Sequence, residues 1–214
     1  MTPKLFYFPG NANLAPHMVL EELSAPYELV LVDRAKNAHK SAEYMKLNPM
    51  GRIPTYVDGD LVISETAAIC LHLADKYAAK GLVPEPGSEM RGRFLSWLMY
   101  LTNTVQAEMI FYFYPEKIAQ GEATRAEIKS AEEARVAGMF DTIEATFAQH
   151  GGPWLLGNTY SILDPYLLML GRWTRGMKRP ARTLPLIGAF MTRMLARPAV
   201  ARAFEQEGLK PPLV

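Results

Sequence analysis

Short apolar runs and stretches of helical periodicity alternate along the first part of the chain. Apolar runs at residues 5–8 and 27–32 predict two buried strands. A helix is predicted between them, with Asn13 as its N-cap and helical spacing to about Ser24. Two strands joined by a helix form a βαβ unit, in which the strands are parallel and the crossover is right-handed. A polar loop at 33–40 and a short helix at 41–47 follow. The pattern therefore predicts the order βαβα.

A hairpin and a further helix are predicted between Asn48 and Ala79. Ile53-Pro54 opens a strand, Asp58-Gly59 has the composition of a two-residue hairpin turn, and residues 61–63 supply the partner strand. Helical spacing then continues from Glu65. We expect a cis Ile53-Pro54 bond, because that isomer turns the Ile53 backbone N–H and C=O toward an extended ligand.

The composition changes at Gly81, where a segment rich in proline and glycine begins. Beyond this segment the periodicity is helical, and no run of residues resembles a strand. Helices are predicted at 88–114, 124–149, 161–170, 185–196 and 198–207, with a capping box at Thr124 and Glu127 and a cap at Ser161 and Asp164. The sequence thus predicts an α/β domain at 1–80, a linker at 81–87 and an all-helical domain at 88–214.

Composition and charge exclude several classes of function. The 214 residues carry a formal net charge of +1 with basic residues spread along the chain, so neither nucleic acid nor a membrane surface is an expected partner. A single cysteine excludes a disulfide framework and a cysteine-based zinc site, and no other spacing of ligand residues indicates a metal. The first apolar run breaks at Pro9-Gly10, too early for a signal sequence or a membrane span. We expect a cytoplasmic protein that holds no metal.

A peptide-binding edge is indicated where the hairpin meets the next helix. The start of that helix, at Glu65 and Thr66, offers unpaired backbone N–H groups for a ligand carboxylate, and the Glu65 carboxylate suits an ammonium group. The outward backbone of Ile53 suits an extended chain. Together these groups favour a peptide ligand with an α-amino-acid head group.

Motifs along almost the whole chain resemble the cytosolic glutathione transferases. The family pattern is carried by Asn48-Pro49-x-Gly51-x-Ile53-Pro54, Ser64-Glu65-Thr66-x-Ala68-Ile69 and Ser161-x-x-Asp164. Two matches resemble the bacterial beta class, namely Tyr7-Phe8-Pro9-Gly10 with Leu14-Ala15-Pro16-His17, and Arg197-Pro198-Ala199-Val200 with Glu207-Gly208-Leu209. The His39-Lys40-Ser41 loop instead resembles the phi and theta branches. The resemblance implies a thioredoxin-like βαβα-ββα domain followed by an all-helical domain, and a homodimer.

The resemblance also implies a ligand and a mechanism. Glutathione, the cosubstrate, would lie extended against Ile53 and Pro54, with its γ-glutamyl head held by Glu65 and Thr66. Its glycine carboxylate would lie near His39 and Lys40, and Arg52 would be a further glutathione-binding residue. Its thiol would point at the start of the first helix, where the positive helix end favours the thiolate. The sulfur would then attack a small hydrophobic electrophile in a cleft between the domains.

The loop before the first helix departs from the beta-class pattern. The position of the beta-class cysteine is Ala12 here, and Cys70 lies in a later helix, so a mixed disulfide with glutathione at the usual place is excluded. The serine of other branches matches Asn13, whose amide N–H can donate to a thiolate but cannot take its proton. We rank Asn13 first as the thiolate donor, Tyr7 second and Asn11 third. Structural alternatives stay open, with Asn13 as a helix cap and Tyr7 as a core residue.

The electrophile pocket has four candidate residues, Phe8, Ala12, Tyr112 and Trp173. The aromatic run at 111–114 cannot lie on one helix face, so its members divide between a cleft or dimer contact and the core. Three functions stay open: a transferase for hydrophobic electrophiles, an enzyme of another glutathione chemistry such as isomerisation, dehalogenation, ether cleavage or peroxide reduction, and a non-catalytic binder. Turnover of chlorodinitrobenzene separates the first function from the third.

Overall fold

The computed structural model describes all residues from Met1 to Val214 and divides them into two compact units. One unit combines Met1–Val83 with Met194–Leu213, and the other consists of Pro84–Arg193 together with the final residue, Val214. The change of composition at Gly81 therefore falls close to the first boundary. The C-terminal segment, however, groups with the N-terminal unit, whereas the sequence placed it in the helical domain.

Four short strands form a mixed sheet in the N-terminal unit. They are β1 (Lys4–Tyr7), β2 (Glu28–Leu31), β3 (Thr55–Asp58) and β4 (Leu61–Ser64), in the order β2-β1-β3-β4. β1 pairs in parallel with β2, while β3 is antiparallel to both β1 and β4. The predicted parallel pair followed by a hairpin is confirmed, and with it the thioredoxin-like class of the N-terminal half.

The hairpin turn lies one residue later than predicted. Asp58 still pairs with Leu61, so the turn residues are Gly59 and Asp60 rather than Asp58 and Gly59. Gly59 has φ 61°, in the left-handed region that a hairpin turn of this length requires and glycine adopts readily. The Ile53–Pro54 bond is cis, as predicted, and β3 begins after it at Thr55.

Helices α1 (Leu14–Leu23), α2 (Ala42–Leu47) and α3 (Thr66–Lys76) complete the N-terminal half. Eight of the ten residues of α1 are buried. A helix so enclosed needs neighbours on more than one side, and α1 packs against both α3 and the C-terminal helix α9 (Pro198–Gln206). α9 buries Ala199, Val200, Ala203 and Phe204 along one face. This packing explains why the C-terminal segment belongs to the N-terminal unit.

The unit of residues Pro84–Arg193 is built from helices, as predicted. They are α4 (Glu89–Met99), a π-helical segment (Tyr100–Gln106), α5 (Ala107–Phe113), α6 (Glu122–His150), α7 (Leu163–Trp173) and α8 (Pro185–Leu195). At the start of α7, the buried Asp164 carboxylate accepts the backbone N–H groups of Ser161 and Leu155 at 2.8 and 3.0 Å. None of the helices combines the length and apolarity needed to cross a bilayer.

The start of α6 differs from the predicted one. The capping box at Thr124 and Glu127 predicted a helix from residue 124, but α6 begins at Glu122. Gly121, with φ 88°, occupies the position before the helix, where the backbone has to leave the helical conformation. Because Thr124 already lies inside the first turn, the capping-box pattern misplaces the boundary by two residues.

Candidate functional site

The loop between β1 and α1 is a pair of consecutive turns. The Asn11 N–H donates to the Phe8 carbonyl at 3.1 Å, and the Leu14 N–H donates to the Asn11 carbonyl at 3.0 Å. Gly10, with φ 69°, adopts the backbone conformation that the first turn needs. The loop therefore brings Asn11, Ala12 and Asn13 to the N-terminal end of α1.

Asn13, the first-ranked thiolate donor, is turned into the protein. Its side chain is fully buried, and its Oδ1 accepts the backbone N–H of Phe8 at 3.1 Å. Its Nδ2 donates to Oε1 of Glu207 at 2.8 Å. The side chain also makes no cap bond to α1, so the alternative role as a side-chain cap is not seen either. The fully buried side chain thus anchors the loop through both its oxygen and its nitrogen, and its role as thiolate donor stays a prediction.

Glu207 is the centre of the buried network that holds this loop. Its Oε2 accepts the Gly10 N–H at 2.7 Å, and its Oε1 lies 2.8 Å from both Asn13 Nδ2 and His17 Nδ1. Both the Glu207 and His17 side chains are buried, so the carboxylate depends on these partners for its solvation. Sequence reasoning noticed Glu207 only as part of a C-terminal motif and missed its contact with the loop.

Asn11 lies on the outer side of the same loop. Its side chain is half-buried, and its Oδ1 accepts a hydrogen bond from Nη1 of Arg34 at 3.3 Å. Arg34 follows β2 in a 3₁₀ turn (Arg34–Lys36) within the predicted polar loop. The sequence predicted only a polar loop here and did not single out Arg34. The signal available was one of topology, because parallel strands place the residues that follow them at the same edge of a sheet.

Tyr7, the second-ranked donor, lines a different surface. Its half-buried ring borders an open groove of about 580 Å³ together with Glu21, Ala25, Pro26, Tyr27, Leu29 and Gln206. Glu21 and Ala25 lie at the C-terminal end of α1, whereas the thiol is expected at the N-terminal end. Tyr7 is also the last residue of β1, directly before the loop, and its role as thiolate donor stays a prediction.

The predicted head-group site lies at the start of α3. Glu65 is exposed and occupies the position before the helix with φ 72°, a region that non-glycine residues rarely adopt and that recurs at ligand sites. Thr66 is buried, and its hydroxyl donates to the Ala12 carbonyl at 3.2 Å. The hydroxyl predicted to hold the ligand is thus used inside the protein, which leaves the Thr66 backbone N–H as its binding group.

The segment before Pro54 is fixed through its backbone. The Arg52 carbonyl accepts hydrogen bonds from the Tyr44 hydroxyl at 2.7 Å and from Asn48 Nδ2 at 2.8 Å. Ile53 is half-buried and Pro54 is buried, while the Arg52 residue is exposed. The Arg52 side chain can therefore face solvent or a ligand, whereas the Arg52 carbonyl is held by Tyr44 and Asn48.

Cationic groups gather beside the 3₁₀ turn that contains His39 and Lys40. Burial lowers the pKa of His39, and the charges of Arg34 and Lys40 lower it further. The His39 Nδ1 is buried without a hydrogen-bond partner, and Lys40 Nζ donates to the Met50 carbonyl at 3.3 Å. A Cβ on Gly51, whose φ is +57°, would lie 2.7 Å from Lys40 Nζ, so glycine permits this close approach.

The four residues predicted for the electrophile pocket divide between the two units. Phe8 is half-buried and Ala12 is buried in the N-terminal unit. In the helical unit, Lys129 Nζ lies 4.9 Å from the centroid of the Tyr112 ring, and Trp173 makes an edge contact with Phe113. Burial raises the pKa of Tyr112, and the charge of Glu133 adds to the effect. Within each unit these are apolar or aromatic positions, and the pocket itself stays a prediction.

Comparisons with known proteins match both halves of the chain. The family model "Glutathione S-transferase, N-terminal domain" matches residues 1–75, and "Glutathione S-transferase, C-terminal domain" matches residues 105–207. The glutathione S-transferase GstA of Escherichia coli O157:H7 is 32% identical over 97% of this chain and 100% of its own length.

Solved structures of glutathione S-transferases also resemble this chain over nearly its whole length. A sphingomonad glutathione S-transferase complexed with glutathione is 32% identical, with a TM-score of 0.84 over 97% of this chain and 100% of that one. A beta-class enzyme from Sphingomonas chungbukensis is 27% identical, with a TM-score of 0.84 over 97% of this chain and 100% of that one.

Proposed function

This chain belongs to the glutathione S-transferase family and is a glutathione transferase, and we propose that it activates the glutathione thiol at the start of α1 for attack on small hydrophobic electrophiles. One observation carries the proposal. The Thr66 hydroxyl donates to the Ala12 carbonyl at 3.2 Å, which joins the N-terminus of α3 to the loop at the N-terminus of α1. The head-group site and the thiol site are therefore neighbours, within the reach of one small peptide.

The γ-glutamyl head of glutathione binds at α3. The exposed Glu65 carboxylate pairs with the ammonium group, and the first N–H groups of the helix, which have no intrahelical acceptor, hold the α-carboxylate. The ligand backbone then runs along Ile53. Its glycine carboxylate lies by Lys40 and Arg52 as charged partners, while His39, whose pKa is lowered by burial and by the charges of Arg34 and Lys40, acts as a hydrogen-bond donor.

The thiol lies at the positive end of α1. A free cysteine thiol has a pKa of about 8.5, and helix N–H groups together with a side-chain amide favour its anion. An amide cannot accept the thiol proton, so the proton passes to solvent water. The thiolate forms a carbon–sulfur bond with the electrophile, and the leaving group departs with the electron pair of the broken bond.

The proposed electrophile is a small hydrophobic molecule. Phe8 and Ala12, an aromatic and an apolar residue of the loop before α1, are its proposed contacts. Conjugation of such molecules with glutathione is a detoxification reaction.

The decisive experiment removes one charge. Glu65→Gln keeps the shape of the side chain but loses the partner of the ammonium group, so we expect glutathione binding by calorimetry to weaken about tenfold or more. Glu127→Gln, on the exposed surface of α6, is the matched control. Conjugation of chlorodinitrobenzene by the parent tests the transferase chemistry. A folded Glu65→Gln variant that binds glutathione as tightly as the parent would refute the head-group site.

A cytoplasmic homodimer is the proposed form of the protein. Large apolar side chains are exposed in each unit, with Leu61 and Val62 on the edge strand β4, and Leu95 and Met99 on α4. A second copy would cover such residues, given the roughly 1,600 Å² that a stable interface buries. Light scattering at micromolar concentration should give about twice the mass of the chain. A monomer mass would contradict this proposal.

A further inference from the structure

We propose that Arg34 is a positioning residue for the reaction, which holds the carboxamide oxygen of Asn11 so that the amide N–H of Asn11 faces the sulfur of bound glutathione. The proposal rests on the proposed function and deepens it. It assigns the contact with the thiolate to Asn11, in place of the first-ranked Asn13, and it gives a role to a residue that the sequence did not single out.

The two asparagines of the loop differ in the exposure of their side chains and in which amide atoms are already hydrogen-bonded. Asn13 is fully buried, with its oxygen bonded to the Phe8 N–H and its nitrogen bonded to Glu207. Asn11 is half-buried, and its oxygen is bonded to Arg34. Both residues precede α1, where the thiol is expected. Asn11 is therefore the asparagine whose amide nitrogen lies at the accessible surface.

The contact with Arg34 decides which way the Asn11 amide points. A guanidinium group carries only donors, so the carboxamide atom that faces Arg34 has to be the oxygen. The NH₂ group then lies on the other side of the carboxamide. Without that contact the amide could turn by 180° and present its oxygen, which would repel a thiolate. Arg34 thus selects the orientation that stabilises the anion.

The fold holds Arg34 in place for this contact. β1 and β2 run in parallel, and the pairing continues past their ends, where the Val32 N–H donates to the Tyr7 carbonyl at 2.8 Å. The next residue, Asp33, accepts the backbone N–H of Ala35 at 3.0 Å and so fixes the turn that begins at Arg34. The parallel pairing thereby places Arg34, which follows β2, beside the loop that follows β1.

Arg34 also lies close to the other end of the ligand site. After burial, its charge is the largest of the causes that lower the pKa of His39, which we place near the glycine carboxylate. The guanidinium group is consequently near both the loop that receives the thiol and the turn that receives a carboxylate. Its positive charge favours the thiolate in addition to orienting Asn11.

The test is a titration of the thiolate absorbance of bound glutathione in a set of variants. Asn11→Ala and Arg34→Met should each raise the apparent pKa of the bound thiol by about one unit, equivalent to about tenfold less thiolate below that pKa. Arg34→Lys, which keeps a charged donor, should recover part of the shift. Lys36→Met is the matched control, because Lys36 lies in the same turn with a side chain 84% exposed.

The double variant separates positioning from charge alone. If Arg34 acts through Asn11, the Asn11→Ala, Arg34→Met pair should shift the titration no more than the larger single change. Additive shifts would overturn the proposal, as would an Arg34→Met titration identical to that of Lys36→Met. Failure of the proposed function would look different, since the parent would then neither bind glutathione nor conjugate chlorodinitrobenzene.

Discussion

The loop before α1 has an inner and an outer side, and an asparagine on each side makes different contacts. On the inner side, Asn13 is fully buried and bonded to Glu207, 194 positions away. On the outer side, Asn11 is half-buried and contacts Arg34, 23 positions away. The inner asparagine fixes the backbone of the loop. In the proposed mechanism the outer asparagine meets the ligand, which would separate stability from chemistry within three residues.

The inner side of the loop depends on a buried carboxylate. Burying this charged group is unfavourable unless several hydrogen-bond donors contact it. Glu207 has three, the Gly10 N–H, Asn13 Nδ2 and His17 Nδ1. Two of these donors belong to the loop itself. The C-terminal segment therefore determines the shape of a loop near the N-terminus, which is a reason for its place in the N-terminal unit.

The largest effect is expected on removing the centre of the inner network. Glu207→Ala leaves the buried Asn13 and His17 side chains without their shared partner, and we expect the free energy of unfolding to fall by about 3–5 kcal/mol. Urea unfolding followed by circular dichroism measures it. Glu205→Ala, on the exposed face of α9, is the control and should lose little. Equal midpoints for the two variants would show that the network contributes no stability.

A smaller effect on stability is expected at Asn13 itself. Asn13→Ala leaves the Phe8 N–H without its acceptor and Glu207 without one donor, a loss of about 2 kcal/mol of unfolding free energy. The thiolate titration of bound glutathione should not move, because the side chain has no exposed surface. A raised thiol pKa in an Asn13→Ala variant of parental stability would return the donor role to Asn13 and erase the contrast between the two sides.

Local patterns were enough to predict most of the elements. The βαβ unit, the hairpin and the helical second half follow from periodicity and turn composition, which act over a few residues. The errors came where two local signals competed. Thr124 and Glu127 form a good capping box, yet α6 begins at Glu122 because Gly121 allows an earlier exit from the loop. The hairpin turn moved by one residue because strand register, set by Asp58 and Leu61, decides it.

The site was less predictable because its arrangement depends on distant contacts. Asn11 and Asn13 are the same residue type and lie only two positions apart in the sequence. The contact with Glu207 is what shows that Asn13 is the one turned inward. The same holds for Thr66, whose hydroxyl is used by the Ala12 carbonyl. Arg34 was overlooked because a basic residue in a polar loop carries no local signal. Its meaning comes from the parallel pairing of β1 with β2.

The smallest effect is expected on changing Tyr7. This variant tests whether a residue other than the two asparagines donates a hydrogen bond to the thiolate. The Tyr7 ring lines a groove with Glu21 and Ala25, and the proposed donor to the thiol is Asn11. Tyr7→Phe removes only a hydroxyl from that groove, so the thiolate titration and kcat/KM for chlorodinitrobenzene should stay within about twofold of the parent, a change of under 0.5 kcal/mol. A thiol pKa raised by a full unit in Tyr7→Phe, with Asn11→Ala unchanged, would move the donor from the loop to the strand.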